Sequence, residues 1–201
     1  MIFIKGFLAG LSLVVLIGPV LIVLLETTIV SGKKEGLSVA TGIFASDVVA
    51  VAMCLLGLQS LINNNNFLMA MFLAGGSIFI TLGILSFFRS VSINQNIEKN
   101  VLRSFIKGFS VNFFNPFVFL VWISMITALS RWLTYSEVII FMSGMVAGVF
   151  FLDITKVFLA SYLKRFLSDG IIKVSYKICG IILLIAGISS ISSGLKILNL
   201  L

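Results

Sequence analysis

Asp47 and Asp153 each interrupt a long run of apolar and small residues. A carboxylate in such surroundings can carry a proton or bind a hard cation through oxygen, and its burial is costly enough to make it a functional candidate. The blander alternative is a carboxylate that only ties helices together by hydrogen bonds. The two are not equivalent. Lys156 follows Asp153 by three residues, on the same helical face, where the two charges can neutralise each other. The position matching Lys156 beside Asp47 is Ala50. A carboxyl buried without a cation is favoured in its neutral form, so Asp47 is the expected proton carrier. Lys156 either simply neutralises Asp153 or receives a substrate carboxylate with Asp153 holding it in place, and the sequence does not choose between them. Glu26, seven residues after Pro19 and close to Lys33 and Lys34, either faces the same pathway or snorkels towards the cytoplasmic interface.

Two backbone interruptions accompany these charges, Gly18-Pro19 and Asn115-Pro116. Proline donates no backbone N–H, so the carbonyls four residues earlier, those of Val15 and Asn112, lose their helical partners. One such proline alone reads as a kink. Irregular backbone at membrane depth is tolerated only where protein or a wet cavity satisfies it, and a matched pair points to a binding site between the two segments. Gly18, Pro19, Pro116, Asn112 and Asn115 are therefore expected to line it.

The elements that must position these residues are apolar blocks. Of 201 residues, 60% are hydrophobic and only 10% charged, far from a water-soluble composition. Six blocks are long enough to cross a hydrocarbon core: Ile2 to Val30, Leu37 to Leu61, Phe67 to Phe88, Phe105 to Ala128, Val138 to Leu163 and Val174 to Leu195. The first is too long for the apolar region of a secretory signal, so it reads as a retained span. The run Asn63 to Asn66 reads as a tight turn, and Arg89 to Ser104 as the longest connection. An all-α membrane protein of six transmembrane helices follows, with helices 1 and 4 broken.

Ile4-Lys5-Gly6-Phe7 recurs as Ile106-Lys107-Gly108-Phe109, and the Gly42 to Asp47 segment is matched by Gly148 to Asp153, at offsets of 102 and 106 residues. Residues 1–88 and 105–201 thus read as two three-helix repeats joined by a cytoplasmic loop, 89–104. Three spans is an odd number, so the second repeat must enter the membrane inverted, an arrangement used by many secondary transporters. Lys and Arg near span ends stay on the cytoplasmic side. Ten basic residues fall on the first, third and fifth connections against Lys5, Arg131 and Lys196 opposite, which places both termini outside the cytoplasm.

The net charge of +7 belongs to these connections and does not indicate a nucleic-acid partner. Cys54 and Cys179 lie apart in apolar blocks and histidine is absent, so no metal site, haem or other cofactor is expected. No phosphate-binding loop or nucleophile elbow is present, and an enzyme is not expected. Gly6-x-x-x-Gly10 and Gly144-x-x-x-Gly148 are signatures of close helix packing, and an exposed face of this kind would permit a homodimer.

Gly18-Pro19, the stretch Ser31-Gly32-Lys33-Lys34-Glu35-Gly36-Leu37, Gly42, Asp47, Gly108-Phe109 and Asn112 through Asn115-Pro116 together resemble the lysine exporter family, which includes threonine and homoserine efflux proteins. The resemblance spans nearly the whole chain. It implies a bacterial inner-membrane exporter of amino acids or related small metabolites, driven by protons, with weight on Gly18, Pro19, Asp47, Asn115, Pro116 and Asp153. Ile17 and Phe117 depart from the family's frequent proline and lysine, so the particular substrate is not carried over. Two other readings compete: a metal-cation exporter of similar build, and a membrane assembly or electron-transfer partner.

Overall fold

A backbone immersed in hydrocarbon has no water to bond and must satisfy its own N–H and C=O groups. The computed structural model does so with helices alone among the residues it describes, 1–13, 19–56, 65–88, 100–164 and 169–198. In chain order these are α1 (Ile2–Ser12), α2 (Pro19–Ser31), α3 (Lys33–Leu55), α4 (Asn65–Phe87), α5 (Val101–Phe113), α6 (Pro116–Leu129), α7 (Tyr135–Leu163) and α8 (Asp169–Leu198). α3, α4, α7 and α8 each contain a stretch long and apolar enough to cross a bilayer; α5 and α6, taken as one crossing bent by 61°, make a fifth. The described residues of the expected first span form two shorter helices, α1 and α2, of 11 and 13 residues, each too short to cross alone.

Capping chemistry sets several boundaries that hydropathy misses. α5 starts at Val101, four residues before the expected Phe105, because the Asn100 carboxamide oxygen accepts the Arg103 N–H at 2.9 Å. α7 begins after Thr134, whose N–H donates to the Glu137 carboxylate at 2.9 Å. Asn65 and Asn66 already belong to α4, while Asn63 and Asn64 of the expected turn lie outside the described residues. Between α2 and α3 the chain reverses at Gly32, where φ is 113° and ψ 177°, a conformation reserved for glycine.

The helices associate through glycine seams. A Cβ added at Gly6 or Gly10 of α1 would strike the carbonyl oxygen of Phe141 or Met145 on α7; one at Gly144 or Gly148 would strike that of Phe3 or Phe7. The numbers rise together, so α1 and α7 run in the same direction with backbones touching. The pair α3 and α5 repeats this arrangement, Gly42 facing Phe105 and Gly108 facing Val39, and again the two helices are parallel. α4 and α8 are antiparallel, with Gly76 against Gly187 and Gly83 against Gly180. In lipid, where apolar burial against a neighbouring helix gains little over burial against acyl chains, such close approach supplies the dispersion contacts that hold helices together. Because the faces of Gly6, Gly10, Gly144 and Gly148 cover one another, they are not the exposed seam on which a homodimer was expected.

The ends of these pairs are fixed by polar ties. The Tyr135 hydroxyl donates to the Leu55 carbonyl at 3.3 Å, joining the start of α7 to the end of α3. At the opposite end, Lys164 reaches the Val30 carbonyl at 3.5 Å and Lys33 lies 3.6 Å over the Phe158 ring. Thus α3 and α7 are antiparallel, and Phe44 and Phe150 meet between them with ring centroids 4.5 Å apart and planes tilted by 35°.

The seams predict a sharp steric rule. Gly42→Val is expected to destabilise the detergent-purified protein by about 2 kcal/mol, since a backbone carbonyl cannot move aside as a side chain can. Leu8→Val, at a position 59% exposed, is the control and should leave the thermal midpoint nearly unchanged. Equal midpoints for the two variants would contradict the seam.

Candidate functional site

Asp47 lies 14 residues into α3, well inside a helix that begins at Lys33. It is 4% exposed, so it does not face lipid. Its carboxylate is held from the far end of α5 and from α6: Asn112 Nδ2 donates to Oδ1 at 2.8 Å and the Trp122 indole N–H at 3.1 Å. The same Asn112 amide also reaches Ser46 Oγ at 3.1 Å and the Ile43 carbonyl at 3.4 Å. Three acceptors around one nitrogen fix the orientation of the carboxamide. Both donors to Asp47 use Oδ1, and among the described residues Oδ2 accepts no hydrogen bond. A carboxylate held by one oxygen between neutral donors keeps the other for a proton or a cationic group.

The α3–α5 seam makes this possible. Gly42 and Gly108 bring the two backbones together, which puts Asn112, one turn beyond Gly108, against the face of α3 that carries Ile43, Ser46 and Asp47. Immediately beyond it the helix stops. The Asn112 carbonyl, freed by Pro116, is taken by the Asn115 N–H at 3.2 Å, and the Asn115 carboxamide oxygen caps α6 by accepting the Phe117 N–H at 3.1 Å. The expected open carbonyl is therefore closed locally, and Pro116 is the first residue of a new helix, where its missing N–H costs nothing.

Asp153, 6% exposed on α7, is paired with Lys156 Nζ at 3.0 Å, the neutralisation expected from their spacing. Three residues separate each aspartate from the tilted pair Phe44 and Phe150; in antiparallel helices this puts the two aspartate backbone positions on opposite sides of that contact, about 9 Å apart along the axes.

Glu26 is buried and does not snorkel to Lys33 or Lys34; its carboxylate faces Lys107 of α5 at 3.7 Å. Pro19 opens α2, while Gly18 and Val15 lie outside the described residues. Cys54 is a buried core residue, and the side chain of Cys179 is outside the described set. Trp122, Ser46 and Lys107 are the participants that the sequence reading did not single out. Trp122 is one of many aromatic residues in apolar spans, and only its indole nitrogen hints at a buried acceptor.

The LysE type translocator family model matches residues 11–194, almost the whole chain, which therefore belongs to that family. No curated protein and no solved structure gives a match. Membership makes the chain a multi-pass membrane transporter of small molecules and accords with the absence of any expected catalytic role.

The network around Asp47 has a measurable signature. Asn112→Leu is expected to cost about 1–3 kcal/mol, because it strips a donor from a buried carboxylate. In an Asp47→Leu background the same change should cost much less, since no charge is then orphaned. A denaturant-unfolding cycle in detergent checks this, and equal costs in both backgrounds would contradict the pairing.

Proposed function

On the premise of that membership we propose that this protein exports an amino acid or closely related zwitterion across the bacterial inner membrane in exchange for protons. The observation that carries the reading is the buried Asp47 carboxylate, anchored through Oδ1 by Asn112 and Trp122 with Oδ2 left for exchange. An ammonium group and a proton are the two natural occupants of such an oxygen, and their competition for it couples export to proton entry. Lys156, held by Asp153 on the facing helix, supplies the cation that a substrate carboxylate requires.

We read the scaffold as six spans in two inverted repeats, with α1 and α2 as one interrupted span and α5 and α6 as the other. The packing supports this. Exchanging the repeats turns the α1–α7 seam into the α5–α3 seam, and Gly76 and Gly83 recur as Gly180 and Gly187, 104 residues on, in contacts that map onto themselves. Phe44 and Phe150, matched by the offset of 106, touch each other, as residues beside a two-fold axis must. α1 ends at Ser12 and α5 at Phe113, close to corresponding points, although the prolines that restart the helices are offset by five residues. The excess of Lys and Arg supports an orientation with the α2–α3 turn and the start of α5 in the cytoplasm and both termini outside it.

Cells that make the protein are expected to release a labelled amino acid faster than cells without it, and Asp47→Asn should reduce that release by about tenfold or more. Metal tolerance should not change with either form. Release unaffected by Asp47→Asn, or a gain in metal tolerance that the variant loses, would overturn the proposal.

A further inference from the structure

Glu26 and Lys107 form an ion pair across two helices, and the chemistry assigned to Asp47 does not use it. Glu26 belongs to α2 and is almost wholly buried, with a side-chain exposure of 4%; Lys107 belongs to α5 and is 24% exposed. Their charged groups are 3.7 Å apart, and Lys107 Nζ also donates to Thr27 Oγ1 at 3.4 Å. Thus a single ammonium group on α5 grips two consecutive residues of α2. An ion pair whose carboxylate is this buried is costly to break, so the contact holds α2 against α5 while it is formed.

Its depth can be read along α3. Gly108, next to Lys107, packs on Val39, and Thr28, two residues after Glu26, packs on Gly36. Asp47 lies eight residues beyond Val39, or about 12 Å farther from the α2–α3 turn. The pair therefore sits between Asp47 and the end of the molecule that carries Lys33, Lys34 and Lys164.

The other end has no counterpart. Lys5 is the repeat partner of Lys107, but α6, which takes the place of α2 in the second half, contains no Asp or Glu. A carboxylate–lysine bridge between the interrupted spans is thus available on one side of Asp47 only.

We infer that the Glu26–Lys107 pair is a one-sided latch, which closes the path between Asp47 and the cytoplasmic face by tying α2 to α5. This rests on the transporter reading and on the orientation set by the basic residues. The bridge opens for a substrate arriving from the cytoplasm and re-forms behind it; among the described residues no carboxylate–lysine bridge ties the interrupted spans at the opposite face. Glu26 is then a gating residue and not part of the binding site.

Ser46, beside Asp47 and wholly buried, offers a reporter position. In a background with Cys54→Ala and Cys179→Ala, a Ser46→Cys protein in inverted membrane vesicles is treated with a membrane-impermeant maleimide at the exposed cytoplasmic face, and in intact spheroplasts at the other. Glu26→Gln and Lys107→Gln are each expected to speed labelling from the cytoplasmic face about fivefold or more, without a comparable rise from the opposite face. The charge exchange, Glu26→Lys with Lys107→Glu, should restore slow labelling. Unchanged rates in the Gln variants, equal acceleration from both faces, or failure of the exchange to restore slow labelling would each overturn the latch. Amino-acid release from cells bearing the unmodified chain tests the transport reading separately, so loss of one conclusion does not carry the other with it.

Discussion

Contact between the backbones of α3 and α5 at Gly42 and Gly108 is the constraint on which the candidate site depends. In lipid a helix gains little by hiding apolar side chains, so association rests on shape and on the polar groups that must be satisfied. Glycine removes the side chains that would hold the two axes apart. Only at that distance does the short Asn112 carboxamide reach Ile43, Ser46 and Asp47 at once. The indole of Trp122 completes the shell from the next helix, on the far side of the bend at Asn115. A larger residue at either glycine would therefore disturb packing first and the carboxylate second.

The two aspartates show how one scaffold gives two environments. The 102-residue offset places Gly10 where Asn112 stands in the other half, and glycine has no side-chain donor. Asp153 instead takes a cation from its own helix, Lys156, at 3.0 Å. One carboxylate is thus solvated by neutral dipoles and the other by a full charge. On the function proposed above, this difference separates a proton-exchanging group from one that holds a lysine in place.

Much of this was legible in the sequence because charge in an apolar run is conspicuous. Asp47, Asp153 and Lys156 stand out by type, and the i, i+3 spacing of the last two predicts their contact. The glycine pairs announced close packing but not their partners, since a seam between α1 and α7 joins residues over a hundred positions apart. Glu26 illustrates the limit: nearby Lys33 and Lys34 were its natural partners along the chain, whereas the fold supplies Lys107 from another helix. Asn115 was read through its proline alone. Its carboxamide caps the helix that the proline begins, and the N–H of the same residue closes the carbonyl that the proline frees. Hydropathy does not separate α1 from α2, which are both strongly apolar and carry no charge apart from Lys5 and Glu26; the expected break between them rests on Gly18-Pro19.

The exchange of substrate for proton at Asp47 is tested most directly in proteoliposomes. Vesicles loaded with a labelled amino acid and a pH-sensitive dye, and diluted into buffer free of that amino acid, should release the label while the dye records protons moving the opposite way. The account predicts that Asp47→Asn abolishes the coupled pH change in protein that is still folded and correctly inserted. Release of label with no pH change in the unmodified protein, or an undiminished pH change in the variant, would contradict it.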